Sequence, residues 1–274
     1  MSKIKVACET YTWQMPGESY KGKLDHIMRV MNKAGFAGIE PDTSFFGDLS
    51  DPIKMKDALQ KHQLELVALC HVEDWINPKE TEEERSRAEQ WMEFMAHFPE
   101  TIYLLVQMPG KDRNDLIERQ KNLLSCVNSI AERAADKGIV CSYHPNSPEG
   151  SIYRTKEDYK ILLNGLNDKI IGYTPDVGHI AKVEMDPLSI IKEYRSLINL
   201  VHYKDMFVDG RWAQTGEGVI DIHGITKYLI DTNYEGWIIM EDECDEAITN
   251  PDGVTLEDGK YINSDIRPLL IKPL

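Results

Sequence analysis

Ile171-Gly172-Tyr173-Thr174-Pro175-Asp176-Val177-Gly178-His179 is a short β-prone run that drives straight into a carboxylate, with an imidazole three residues further on. The same arrangement recurs on both sides of it. Ile139-Val140-Cys141-Ser142-Tyr143-His144-Pro145-Asn146 ends in a histidine, and its proline forbids the ladder from continuing. Asn199-Leu200-Val201-His202-Tyr203-Lys204-Asp205 again ends an apolar run in histidine, and Trp237-Ile238-Ile239-Met240-Glu241-Asp242-Glu243 ends four apolar residues in three acids. Working back towards the N-terminus, further β-prone runs stand at 4–8, 38–41, 65–70 and 102–107.

The starts of these eight runs lie 27 to 38 residues apart, the length of one strand–helix unit. Strands alternating with helices imply a parallel sheet, and eight such units in 274 residues imply closure as a single α/β domain, a (β/α)8 TIM barrel spanning 1–274. The intervening segments read as helices. Leu24, Ile27, Met28 and Met31 share one apolar face that stops at Ala34-Gly35, and 113–137 carries apolar residues at helical spacing up to a glycine cap at Gly138. On 80–98, Trp91, Phe94, Met95 and Phe98 form a stripe that belongs to core packing. A doubly wound open sheet would offer a glycine-rich turn after its first strand, but Cys8-Glu9-Thr10-Tyr11-Thr12-Trp13 stands there. The polar stretch 245–274 reads as a last loop and helix closing over the barrel.

The formal charge of −15 and the pI of about 5.0 speak against nucleic acid and anionic membrane surfaces as partners. The N-terminus lacks the apolar core of a signal peptide, and no stretch approaches the roughly 18 apolar residues of a membrane span. Five scattered cysteines without a CxxC pair fit free thiols in a reducing compartment, so the expected location is cytoplasmic; a homo-oligomer is compatible with the sequence.

In a parallel barrel, catalytic groups come from the C-terminal ends of strands and the loops just after them. His144, Asp176, His202 and Glu241 each hold that place. Singly, each has an ordinary explanation: a rim histidine, or for Asp176 a helix N-cap. Together, four consecutive major strands deliver one imidazole or carboxylate each, groups that are costly to bury unless paired or metal-bound. Two imidazoles and two carboxylates suit one divalent ion, Mn2+ first and Co2+, Fe2+, Mg2+ or Zn2+ as alternatives, over Ca2+ with its all-oxygen shell.

Across essentially the whole chain the sequence resembles the xylose isomerase-like barrel superfamily of sugar phosphate isomerases, ketose epimerases, hydroxypyruvate isomerase and inosose dehydratase. The resemblance rests on Asp176-Val177-Gly178-His179, on His202-Tyr203-Lys204-Asp205, on Gly216-Glu217-Gly218-Val219-Ile220-Asp221, and on Tyr234-Glu235-Gly236-Trp237 leading to Glu241. It implies that Asp176, His202 and Glu241 ligate the metal and that His179 sits beside the substrate. The chain departs at the fifth strand, where epimerases and isomerases of the group usually present a glutamate and this chain has His144, in a Tyr-His-Pro-Asn setting closer to the inosose dehydratase type. Glu149, in the next loop, replaces that glutamate only if the loop folds back.

The remaining candidates line the expected mouth. Trp13 is either a stacking surface for a sugar ring or a lid over the core. Glu40 is a hydroxyl acceptor, His71 and Trp75 are an acid/base and a wall after the third strand, and Gln107 is a hydroxyl binder. Lys204 polarises a carbonyl or oxyanion or pairs with Asp205 or Glu217; Arg211 and Trp212 meet the substrate from the seventh loop or simply face solvent, and Glu217 is a further substrate-binding candidate. The expected chemistry is proton abstraction next to the carbonyl of a small keto-sugar or keto-polyol. Glu241 and His71 are candidate bases, and His179 and Lys204 candidate proton donors. Return of the proton to carbon gives isomerisation or epimerisation, as in a ketose 3-epimerase or a hydroxypyruvate-type isomerase; loss of a β-oxygen gives elimination, which His144 favours. An abasic-site endonuclease on this barrel needs more histidines and a basic face, and a non-catalytic sugar-binding barrel would not retain metal.

Overall fold

The computed structural model describes residues 3–271. They form two compact units, one made of the chain up to Val67 together with Leu200 onward, the other of Ala68–Asn199. The chain opens with β1 (Lys5–Glu9), β2 (Gly38–Glu40) and β3 (Glu65–Leu66), and the second unit holds β4 (Ala68–Glu73), β5 (Ile102–Gln107), β6 (Cys141–His144) and β7 (Ile171–Tyr173). It returns to the first unit with β8 (Leu200–Tyr203), the two-residue strands β9 (Asp205–Met206) and β10 (Trp212–Ala213), and finally β11 (Trp237–Met240).

Within the first unit five strands pair in parallel in the order β3-β2-β1-β11-β8. Within the second, β4-β5-β6-β7 are likewise all parallel. The expected third strand is divided at Val67: β3 pairs with β2, and β4 pairs with β5 and runs on through Glu73. His71 therefore lies inside a strand and does not follow one. The expected start of the fifth strand at Ile139 moves to Cys141, because Val140 is 53% exposed and has no core to enter. The antiparallel β9–β10 pair was not legible, since two residues per strand carry no alternation.

The helices follow their apolar faces. Leu24–Ala34 buries Leu24, Ile27, Met28, Val30, Met31 and Ala34, and stops at Gly35, whose φ of 91° is open to glycine at little cost. Burying a Met or Ile completely is worth roughly 1.5–3 kcal/mol, so this face alone anchors the helix. Glu82–Met95 starts with a reciprocal capping box between Thr81 and Glu84, and three glutamates in its first turn complement the helix dipole. Leu116–Asp136 ends just before Gly138, which takes φ 74° as the expected cap. In the C-terminal stretch, Pro251–Tyr261 is helical and packs against Leu24–Ala34: a Cβ on Gly259 would fall 2.3 Å from the Ala34 carbonyl oxygen. The segment read as closing at 245–274 is helical through Ile271, and its last three residues lie outside the described ones. No helix among the described residues is long and apolar enough to cross a membrane.

Candidate metal centre

In the first unit the strand register assembles a cluster of acids. β1 and β2 place Glu9 directly beside Glu40 at the last rung of their ladder, both buried. β8 supplies His202, and β11 ends one residue before Glu241, whose amide still donates to the Tyr203 carbonyl at 3.0 Å. The His202 ring is held from both sides: Nδ1 is 2.9 Å from Glu241 Oε2, and Nε2 is 3.1 Å from Glu40 Oε1. Lys204, fully buried, donates to Glu241 Oε1 at 2.5 Å and also pairs with Glu243. Of the expected alternatives, Asp205 spends its carboxylate on backbone amides of the 216–220 loop and Glu217 is exposed.

The electrostatics of this cluster are lopsided. Within the first unit, Glu9, Glu40, Glu241 and Glu243 gather around the Lys204 ammonium and the His202 imidazole. Burial pushes the Glu9 carboxyl well above the usual range, and the charges of Glu241 and Glu40 push it further. For His202, burial works against the charged ring, yet Glu40 and Glu241 outweigh it and raise the imidazole well above its ordinary value. A buried surplus of carboxylate around an imidazole is the donor chemistry of a divalent cation site, and the residues fit such an ion.

The second unit buries a matching pair. Asp176 is the N-cap of the Val177–Lys182 helix, with Oδ1 accepting the His179 amide at 2.7 Å. Its other oxygen, Oδ2, lies 3.6 Å from His144 Nε2, beyond hydrogen-bond length. The cap reading and the ligand reading of Asp176 thus each claim one oxygen. His179 packs its ring edge-on to His144, with centroids 5.6 Å apart, and its Nδ1 is 2.8 Å from Ser147 Oγ.

The other sequence candidates divide. Glu40 joins the cluster. Trp13 is fully buried and its indole donates to Asp252 at 2.8 Å, which is the core-lid alternative and not a stacking surface. His71 has both ring nitrogens engaged, Nδ1 with the Tyr103 hydroxyl and Nε2 with Glu73 at 3.0 Å, while Glu73 is clasped by Arg87. Gln107 gives its amide to the Asp74 carbonyl at 2.8 Å, and Trp75 is fully buried beside His71. Arg211 lies on the exposed turn between β9 and β10, paired with Asp209, where its solvent-facing alternative describes it; Glu217, expected to bind substrate, is exposed. Glu149 is exposed too, so its loop does not carry it inward.

Glu9 and Tyr11 were not among the candidates, and Glu243 entered only as the last of the three acids after the eighth run; Glu9 fits the rule that found Glu40, an acid at a strand's C-terminal end. Trp212 and Tyr11 place their rings 5.1 and 5.7 Å from the Lys204 ammonium. The Gly216-Glu217-Gly218 motif also acquires a reason. Asp205 accepts the amides of Gly216, Gly218 and Ile220 at 3.1, 2.9 and 3.1 Å, and a Cβ on Gly218 would fall 2.1 Å from that carboxylate. All five cysteines are buried, and burial pushes the Cys126, Cys141 and Cys244 thiols up to about 12, which removes them as nucleophiles.

Residues 28–264 match the model of the xylose isomerase-like TIM barrel. The chain belongs to that family. Its parallel strands and intervening helices are therefore those of a TIM barrel, as the eight repeated units predict. An inosose dehydratase from Clostridium beijerinckii is 24% identical over 293 residues, covering 95% of this chain and 96% of that protein. Among solved structures, the IolI protein with a bound zinc atom superposes with a TM-score of 0.75 at 16% identity, covering 97% of this chain and 98% of the other. The 3-keto-D-glucoside 4-epimerase YcjR from E. coli gives 0.74 at 18%, covering 96% and 100%. As a member of the xylose isomerase-like family with such relatives, the chain is an enzyme of the isomerase, epimerase and lyase group.

Proposed function

We propose that the chain is a divalent-metal-dependent lyase acting on a keto-sugar or keto-polyol, a single barrel domain in which His144, Asp176, His202 and Glu241 ligate one ion. The observation that carries this reading is the buried carboxylate surplus gripping His202. The His144–Asp176 pair, the barrel family, and relatives named as inosose dehydratase and as a zinc-bound protein support it. Mn2+ is the first expectation for the ion, with Zn2+, Co2+, Fe2+ and Mg2+ behind it.

When bound, such an ion supplies Lewis acidity towards a carbonyl oxygen and fixes an adjacent hydroxyl. The protein's own residues do the rest. Lys204 and His202 fix both oxygens of Glu241, the candidate base for the C–H next to the carbonyl. His179, braced by Ser147, is the candidate proton donor to the departing oxygen. Removal of the carbon-bound proton and loss of a β-hydroxyl as water leave a carbon–carbon double bond conjugated to the ketone. His71, with both nitrogens occupied, is assigned to positioning. Epimerisation needs a second acid on the opposite face of the substrate, and the exposure of Glu149 favours elimination over it.

The test is incubation of the Mn2+-loaded protein with inososes, ketohexoses and 3-keto-glycosides in D2O. Elimination predicts an enone and release of water from an inosose; deuterium entering carbon with every oxygen retained would replace the lyase reading by an epimerase. A cytoplasmic location, supported by five buried cysteines outside any disulfide, completes the proposal.

A further inference from the structure

The loop after β4 holds a backbone outlier. Trp75 has φ 42°, the left-handed region, which a bulky side chain occupies only when its surroundings impose it. Here they do. The Trp75 amide donates to Glu84 Oε1 at 3.1 Å, and the carbonyl before it, of Asp74, accepts from Gln107 at 2.8 Å. The next carbonyls are captured in turn: Ile76 by Asn122 at 2.8 Å, Asn77 by the Cys126 thiol at 3.5 Å, and Pro78 by Ser125 at 2.9 Å. Side chains from three separate elements lash five consecutive residues into one conformation.

That conformation carries an unspent donor. The Trp75 side chain is fully buried, edge-on to His71 at 6.1 Å, and its indole N–H has no acceptor among the described residues. A tryptophan buried for packing alone normally finds an acceptor for its N–H. Trp13, equally buried in this same chain, does so at Asp252. Strain held in place by many tethers, a buried donor left over, and a position two residues beyond the C-terminal end of a barrel strand describe a preorganised contact for something bound.

We propose that the Trp75 indole N–H donates a hydrogen bond to an oxygen of a bound neutral polyol or keto-polyol, and that Glu84 positions it. This rests on the substrate class assigned above. A neutral N–H matches hydroxyl and carbonyl oxygens alike, while the Glu84 carboxylate on the Trp75 amide disfavours an anion. The subsite thus selects uncharged substrates, and a phosphate ester is expected to bind more weakly than its parent polyol.

The experiment is a titration of the full-length, uniformly 15N-labelled protein with myo-inositol, following the indole N–H signals, with calorimetry in parallel. Trp75→Phe assigns the signal and keeps ring bulk without the donor. The Trp75 indole should move downfield on binding, more than those of the other four tryptophans. Trp75→Phe should weaken binding about 5- to 10-fold. Glu84→Ala should do the same, and Glu84→Gln, whose single acceptor oxygen must serve either the Trp75 or the Thr81 amide, should weaken binding less than Glu84→Ala. Binding with an unmoved Trp75 signal, as when the N–H is bonded to a resident water, overturns the subsite and leaves the proposed function standing, as does a Trp75→Phe variant that binds normally. Absence of myo-inositol binding to the wild type overturns the neutral-polyol subsite, while the proposed function stands or falls on the keto-sugar assay. Should Trp75→Phe fail to fold, the wild-type titration and the Glu84 pair decide.

Discussion

Replacing Lys204 by methionine strikes the charge balance of the cluster directly. The ammonium is fully buried and sits 2.5 Å from Glu241 Oε1, with Glu243 on its other side. Removing one partner of a buried pair leaves the other charge uncompensated and typically costs about 3–5 kcal/mol. Both carboxylates lose this cation, although His202 still holds Glu241 Oε2, so the middle of that range is expected in metal-free protein. Against a total stability of about 5–15 kcal/mol this is a large fraction. The thermal midpoint should fall by about 10 °C for a domain of this size. Urea unfolding followed by circular dichroism, in EDTA at pH 7.5, measures it. One control separates charge from packing: the deficit should shrink when Mn2+ is added, because the cation supplies the missing positive charge. A deficit below about 1 kcal/mol in EDTA, or one indifferent to the metal, would refute the reasoning.

Other expectations are as specific. Burial works to raise Glu73, but His71 and Arg87 outweigh it and hold its carboxyl down at about 2. A depressed acid stabilises the fold above its unfolded value near 4.5, and that contribution fades as the pH falls from there towards 2. Glu73→Gln should therefore cost about 3 kcal/mol at pH 7 by chemical denaturation, with the gap to wild type closing across that window. Asp205→Ala removes the acceptor of the Gly216, Gly218 and Ile220 amides; it should cost about 2–3 kcal/mol and speed hydrogen exchange at those three positions, and unchanged exchange would contradict the stated role of Asp205. Glu149→Ala should leave turnover within about twofold of wild type, since its side chain is exposed; a large loss would return the second acid to that loop.

The fold was legible because its signals are redundant. Eight β-prone runs spaced at 27 to 38 residues fix an alternating parallel architecture even when single boundaries slip, as they did at Ile139 and Cys70. Helix ends were readable where a cap carries them, as at Gly35 and Gly138, and the β9–β10 pair was invisible because it is too short to alternate. For the candidate site, strand-end position singles out His202, Glu241, Glu40, Asp176 and His144, since polar groups ending apolar runs have few other reasons to be there. Glu9 ends β1 in the same way. Partners could not be read. Trp13 is closed off by Asp252, 239 residues away in the chain, and Gln107 and His71 are occupied by groups more than 30 residues distant, pairings that only the fold creates.

The central claim is one divalent ion per chain held by His144, Asp176, His202 and Glu241. Its most direct test is elemental analysis of the Mn2+-loaded protein after exhaustive dialysis, alongside His202→Ala and His144→Ala variants checked for intact folding by circular dichroism. The account predicts one equivalent of metal in the wild type and none retained in either variant. A folded wild type that keeps no metal, or a His202→Ala variant that keeps a full equivalent, would contradict it.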